Sequence, residues 1–307
     1  MTLVIAGYVL QRAYRGFARP RPSHKWRLEP DGIFFAADSA ITDRAGRILL
    51  SGFRKVYPVR VQLWEPYFVG EHFRGYRVEY EHTTVAIAFA GSTLAAQHYL
   101  NAIAEHLSNL RISCKRLGGP IDYCIVLPCE RNPLESEGVH WSDDTFLRSD
   151  FVGLLTQEVI AEAVLHSLQH AIRSARKYKL DEEAFKTLYT DFVLGVQCPR
   201  TRKYHLYEYV METDWTDVVA QARVSMREVP HSQVAVLGMK NEFSTAANIA
   251  YAEAINNGVD PEVAMFAFLN SQIDLVAQRG DRDIDRPSVL KILRDGALER
   301  AARDPGS

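Results

Sequence analysis

The sequence predicts an α+β fold, two stacked antiparallel sheets with helical layers outside, and two observations carry that prediction. Strand-like runs and helix-like runs come in groups, in the order strands, helices, strands, helices, strand, where a doubly wound parallel sheet would alternate them singly. A dinucleotide-type fold would also need a Gly-rich turn from strand to helix, and neither GxGxxG nor GxxxxGKS/T occurs anywhere. At 307 residues, with 47% hydrophobic and 24% charged residues, the chain can bury a substantial core. It reads as one domain over 1–307, with insertions near 11–30 and 60–82.

Residues Thr2–Leu10 are apolar and β-branched enough for a buried first strand. The segment 11–30 is basic and holds Pro20, Pro22 and Pro30, so it reads as an inserted loop. Gly32–Asp38 (GIFFAAD) returns as a strand, and a turn around Asp43–Gly46 leads towards Phe53–Val59. The aromatic, charged stretch 60–82 predicts a long hairpin or second insertion. Thr83–Phe89 (TTVAIAF) is a dense strand signal ending at Ala90–Gly91. From Ser92 to Leu110 the spacing turns helical, with Leu94, His98, Ile103 and Leu107 expected along one side. Short strands and polar turns fill 113–150, and Thr156–Arg176 is a strong helix, after which Asp181–Phe185 starts another short one.

Phe192–Gln197 and Tyr204–Val210 predict a hairpin, and Val234–Leu237 a further short strand. Ser244–Asn256 is an alanine-rich helix stopped by Asn257–Gly258. The next helix starts with Asp260 as N-cap and Pro261 in the first helical position, and runs to about Gln278. Val289–Leu293 closes the chain as a strand, with a turn at Asp295–Gly296.

Thirty-six basic against 38 acidic residues give a net charge of −2, which supplies no bulk field for nucleic acid or an anionic membrane. The four cysteines, Cys114, Cys124, Cys129 and Cys198, form no CxxC pair and match no common zinc spacing. No secretory h-region and no long apolar run is present, so the expected setting is a reducing cytoplasm.

The chemistry starts at the N-terminus. A Met before a small residue such as Thr2 is the type trimmed by methionine aminopeptidase. Trimming would leave Thr2 with a hydroxyl and a free α-amine of pKa about 7.7–8, able to act as base for its own hydroxyl. That alone says little, since many proteins begin Met-Thr.

Four further segments matter: Thr2-Leu-Val-Ile, Asp31-Gly-Ile-Phe-Phe-Ala-Ala-Asp-Ser39, Gly52-Phe-Arg-Lys-Val-Tyr57 and Ala90-Gly-Ser-Thr-Leu-Ala-Ala-Gln97. In these residues, and in their order, the chain resembles the proteasome β-subunit family, and within it the bacterial proteasome-like proteins called Anbu. The resemblance covers the first third, with weaker support from Phe192–Tyr209 and 234–298. It implies the four-layer αββα sandwich of N-terminal-nucleophile hydrolases, and a threonine-type peptidase. It further implies self-assembly into a homo-oligomer that shelters the site, a peptide or unfolded protein as substrate, and no cofactor or metal. An unfoldase partner stays unidentified.

By the same resemblance Asp38 holds Lys55, Lys55 tunes Thr2, and the Gly91 amide is the oxyanion donor. Elementary physics agrees on two points. A carboxylate at the end of an apolar strand is costly unless paired, and Lys55 is the nearest candidate in sequence. A glycine closing a strand lets backbone approach a substrate. Asp281 best fits the family's later aspartate, with Asp283 or Asp285 open if the loop slips. Two departures stand against activity: no Ser-Gly-Gly follows, and Gly238-Met239-Lys240 replaces an expected serine. The 36 positions between Thr2 and Asp38 also exceed what the family needs. The alternatives are a catalytically silent scaffold acting through assembly or partners, and a small-molecule amidase.

Other signals have plainer readings. Glu162, His166 and His170 share one helix face, but HSLQH lacks the glutamate of HExxH, so a packed histidine pair is expected there in place of a metal. The basic aromatic run Tyr14–Arg19 with Arg21, Lys25 and Arg27 comes with no nucleic-acid fold signature, and no nucleic acid is expected. Trp64, Tyr67, Phe68, Phe73 and Tyr76 read as an interface or as a covered hairpin.

Overall fold

The computed structural model describes residues 2–13, 27–42, 47–115, 121–136, 141, 145–175, 187–216 and 219–306. Most of the basic loop and the short helix expected at Asp181–Phe185 lie outside these residues. Among the described residues no helix is long and apolar enough to cross a membrane.

The fold is α+β. One sheet has five strands in the order β12 (Ala235–Gly238), β1 (Leu3–Ala13), β2 (Arg27–Ala37), β13 (Ser288–Arg294) and β14 (Ala297–Asp304). The other has seven: β11 (Val219–Glu228), β10 (Tyr204–Thr216), β9 (Thr190–Gln197), β6 (His72–Gly91), β5 (Val56–Val69), β7 (Leu110–Lys115) and β8 (Asp122–Val126). A two-stranded ribbon, β3 (Ile41–Thr42) with β4 (Ile48–Leu50), stands apart. The expectation of purely antiparallel sheets needs one correction. β5 and β7 run parallel, with Leu63 opposite Leu110, because helix α1 (Thr93–Leu107) carries the chain between β6 and β7 and so reverses its sense.

The central strands β1, β2 and β9 and the inner end of β6 are continuous apolar runs because both of their faces are buried. On β1, Val4, Ala6 and Tyr8 join one core with Ala86, Ala88 and Val193 of the other sheet, whereas Leu3, Ile5 and Val9 face helix residues. The second core is completed by α3 (Lys240–Asn257) and α4 (Pro261–Gln278) through Ala247, Tyr251, Met265 and Leu269. A third core joins β5, β6 and β9 to α1 and α2 (Gln157–Ala175). Between the sheets the spacing is close. A Cβ on Gly195 would lie 2.8 Å from the ring of Phe35.

The helical phase expected for α1 is half wrong. Leu94 is 86% exposed and His98 is exposed too, while Ile103 and Leu107 are buried beside Ala96, Tyr99 and Leu100. At about 100° per residue, positions 94 and 103 point to opposite sides of a helix, so these four cannot share a face. Asp260 precedes α4 as expected, but its side chain makes no capping hydrogen bond.

The 60–82 stretch is the outer part of the β5–β6 hairpin, turning at Gly70–Glu71. Its aromatics are covered. Phe68 meets Phe73 and Phe146, Phe73 meets Tyr76, and the Trp64 indole donates to the Ser108 carbonyl at 2.9 Å.

Candidate active site

The start of β1 meets the ends of β2, β6 and β12. Register fixes this: Val4 lies opposite Ala37 and Leu3 opposite Gly238, so Thr2, Asp38 and the β12–α3 junction arrive together. The Asp38 amide donates to the Leu3 carbonyl at 3.2 Å, and the Leu3 amide returns a bond to Asp38 Oδ1 at 2.8 Å.

Asp38 Oδ2 also accepts from the Ala40 amide at 3.1 Å. Lys55 Nζ donates to both oxygens, at 2.9 and 2.8 Å. Asp38 is 0% exposed and Lys55 3% exposed, so this is a fully buried ion pair. Burial pushes the Asp38 carboxyl up from its ordinary value and the Lys55 ammonium down; each charge, helped on Asp38 by the two backbone donors, pushes the other way. The expected pairing of Asp38 with Lys55 is therefore present, and the carboxylate joins that lysine to the peptide that follows Thr2.

Thr2 is held by backbone. Its carbonyl accepts from the Met239 amide at 3.1 Å. Gly238 sits against it so closely that a Cβ there would lie 1.8 Å from the Thr2 oxygen, and its φ of 86° is one that favours glycine. Gly91 closes β6 with φ 131°, and a Cβ on it would lie 2.4 Å from the Tyr189 carbonyl oxygen. Ser92 then caps α1, its hydroxyl accepting from the Ala95 amide at 3.4 Å.

Thr2, Gly91 and Gly238 line one cleft of ≈ 280 Å³ with Ala40, Ile41, Thr42 and Thr93. Two of the residues proposed from sequence, Thr2 and Gly91, thus share a cavity, with Asp38 and Lys55 buried behind Thr2. The loop after α4 is tied in by another route. The Ser39 hydroxyl donates to the Pro287 carbonyl and accepts from the Gly52 amide at 3.2 Å.

Asp281 is exposed, its amide donating to the Val276 carbonyl at 3.2 Å, and its carboxylate is not part of the cleft lining. Asp285 is engaged with the Arg282 guanidinium at 3.2 Å and the Arg286 amide at 2.7 Å. Thr42 has no signal in the sequence, and Ser39 and Thr93 lie inside the motifs Asp31–Ser39 and Ala90–Gln97 without a role assigned to them. Gly238 had a signal, since it stands where a serine was expected.

No protein-family model matches the chain, and no curated protein matches it. Solved structures similar to it include Anbu (ancestral beta-subunit) from Yersinia bercovieri, at 12% identity and TM-score 0.47, covering 99% of this chain and 89% of that one. An Anbu (Gly-1) mutant and an Anbu from Hyphomicrobium sp. strain MC1 are also similar, each at 12% identity and covering 99% of this chain and 86% of theirs, with TM-scores of 0.42 and 0.41. These likenesses assign neither a residue nor an activity.

Proposed function

We propose that this cleft is the active site of a threonine-type amide hydrolase acting on peptides, with Thr2 as nucleophile once Met1 is removed. One observation carries the reading: a single buried carboxylate, Asp38, binds both the Lys55 ammonium and the amide next to Thr2, directly behind a cleft that Thr2 shares with Gly91.

In the reaction the Thr2 hydroxyl attacks the scissile carbonyl and the α-amine takes its proton. The amine then protonates the leaving amine, and an ester links substrate acyl and Thr2 until water cleaves it. The Gly91 N–H donates to the developing oxyanion, a contact whose loss typically costs about 3 kcal/mol of transition-state stabilisation. Lys55 supplies positive charge that favours the ionised hydroxyl and the neutral amine. The resemblance would have Asp281 orient the amine, but its carboxylate is exposed and outside the cleft lining, so the proposed steps rest on Thr2, Lys55 and Gly91 without it.

The three cores support an αββα layering of the two sheets between helix pairs. We further propose a cytoplasmic homo-oligomer assembled through the helical layers. Leu94 on α1, with Ile249 and Val263 on α3 and α4, leaves apolar surface exposed for that contact. The second reading, a silent scaffold, is favoured by the exposed Asp281. Thr2→Ala separates the two in an assay of fluorogenic peptide cleavage alongside sedimentation. The hydrolase reading requires loss of turnover with assembly unchanged. Turnover that survives in Thr2→Ala contradicts it.

A further inference from the structure

Away from the cleft, one group of described residues converges donors of the kind that bind metals. Cys129, in the turn after β8, and His166 and His170 of α2 each place one donor atom within 4.8 Å of the others. Cys129 Sγ lies 3.1 Å from His166 Nε2. The two histidines are one helical turn apart, with rings near parallel at 22° and centroids 6.2 Å apart. Glu162, grouped with them by helical spacing, is not among the convergent donors.

A buried third histidine backs the pair. His106 of α1 packs edge-on against both rings, at 5.6 Å from His166 and 5.7 Å from His170. Its own orientation is set. Ser167 donates its hydroxyl hydrogen to the Ala163 carbonyl at 2.6 Å, so at 2.8 Å from His106 Nδ1 the same oxygen accepts, and Nδ1 carries the proton.

We propose that Cys129, His166 and His170 bind one zinc-class divalent ion that ties the turn after β8 to α2. The donor set, one thiolate and two imidazoles, suits a borderline-soft ion. Zinc bond lengths of about 2.3 Å to sulfur and about 2.0–2.1 Å to nitrogen put tetrahedral ligand atoms roughly 3.3–3.6 Å apart. The observed 3.1 Å S–N separation and the 4.8 Å limit bracket that spacing, so side-chain rotation closes the site. Cys129 and His170 are exposed, which lets the ion enter from solvent and leaves water as its fourth ligand. Beside it His166 lines a groove of ≈ 370 Å³ with Glu130, Glu158 and Glu162. Sequence spacing hid the site, because Cys129 is 37 positions from His166.

The test is titration of the reduced, chelator-stripped full chain with Co²⁺, followed by Zn²⁺. The proposal expects one Co²⁺ per chain, with the visible bands of a tetrahedral ion and a near-ultraviolet thiolate charge-transfer band, all lost on adding Zn²⁺. Cys129→Ser should remove the charge-transfer band, and His170→Ala should weaken binding more than about tenfold. Both positions are exposed, so the variants should keep the wild-type circular dichroism spectrum, which is recorded alongside as the folding control. A charge-transfer band that survives in Cys129→Ser overturns the proposal. So does equal affinity in the wild type and the Cys129→Ser/His170→Ala double variant, the result expected of a hydrogen-bonded thiol–imidazole pair.

Discussion

Replacing Asp38 by Asn tests whether the buried pair organises the Thr2 end of β1. Both acceptors of the Lys55 ammonium are Asp38 oxygens, so the substitution leaves a cation 3% exposed facing a neutral amide. Stranding one partner of a buried ion pair costs about 3–5 kcal/mol. Lys55→Met strands the other partner, but more gently, because Asp38 keeps the Leu3 and Ala40 amides and can take up a proton. The two variants should therefore respond to pH in opposite directions. In Lys55→Met, burial holds the folded Asp38 pKa above the unfolded value of about 3.9. The folded state then binds more protons, and stability falls as pH rises through that window. In Asp38→Asn, burial holds the Lys55 pKa below the unfolded value of about 10.4, so the unfolded state binds more protons and stability rises with pH. Urea unfolding at pH 5, 7 and 9 measures both slopes. The Asp38→Asn/Lys55→Met double variant should lose less than the sum of the singles by about 1–3 kcal/mol. Slopes of the same sign, or a loss below about 1 kcal/mol for Asp38→Asn, would refute the assignment of a charged, mutually dependent pair.

Gly91→Ala should abolish turnover and lower the melting temperature, since its Cβ would meet the Tyr189 carbonyl oxygen at 2.4 Å. Gly52→Ala, with open space around it and φ 79°, should cost only about 1 kcal/mol of backbone strain, and equal losses in the two variants would count against the steric argument. Tyr8→Phe removes a buried hydroxyl that donates to the Val229 carbonyl and accepts from the Leu206 amide, both at 2.9 Å. The orphaned groups should cost about 1–3 kcal/mol in urea unfolding. Lys291, half-buried with Arg54 and Arg300 nearby, has its pKa lowered to about 8. The unfolded chain binds more protons between that value and about 10.4, so the wild type should gain stability across this window relative to Lys291→Met, as read by melting temperatures at pH 7.5 and 10.

Much of the frame was legible because it depends on local pattern. Thr2–Leu10 and Gly32–Asp38 are apolar on both faces, as strands covered on two sides must be, and Gly258 ends α3 in the left-handed conformation expected of it. Strands β11 and β14 were missed. The sequence Ala297–Asp304 is rich in Ala, Leu, Glu and Arg, residues that favour helices; pairing with β13 from Leu298 to Asp304 overrides that preference. Within the site, Thr2, Asp38, Lys55 and Gly91 lie in short motifs and could be named in advance. Gly238 and Ser39 owe their places to backbone approach and to a loop more than 240 positions away, which no local spacing encodes. Cys129 meets His166 only because α2 packs beside the turn that follows β8.

The central claim, that Thr2 is the nucleophile, is tested most directly by intact-mass analysis of the purified protein before and after an electrophilic threonine-directed inhibitor. The expected result is a mass lacking Met1 and a single covalent adduct that maps to Thr2 and is absent from Thr2→Ala. Retained Met1 with no adduct would contradict it, because the amine that must serve as base would then be locked in a peptide bond.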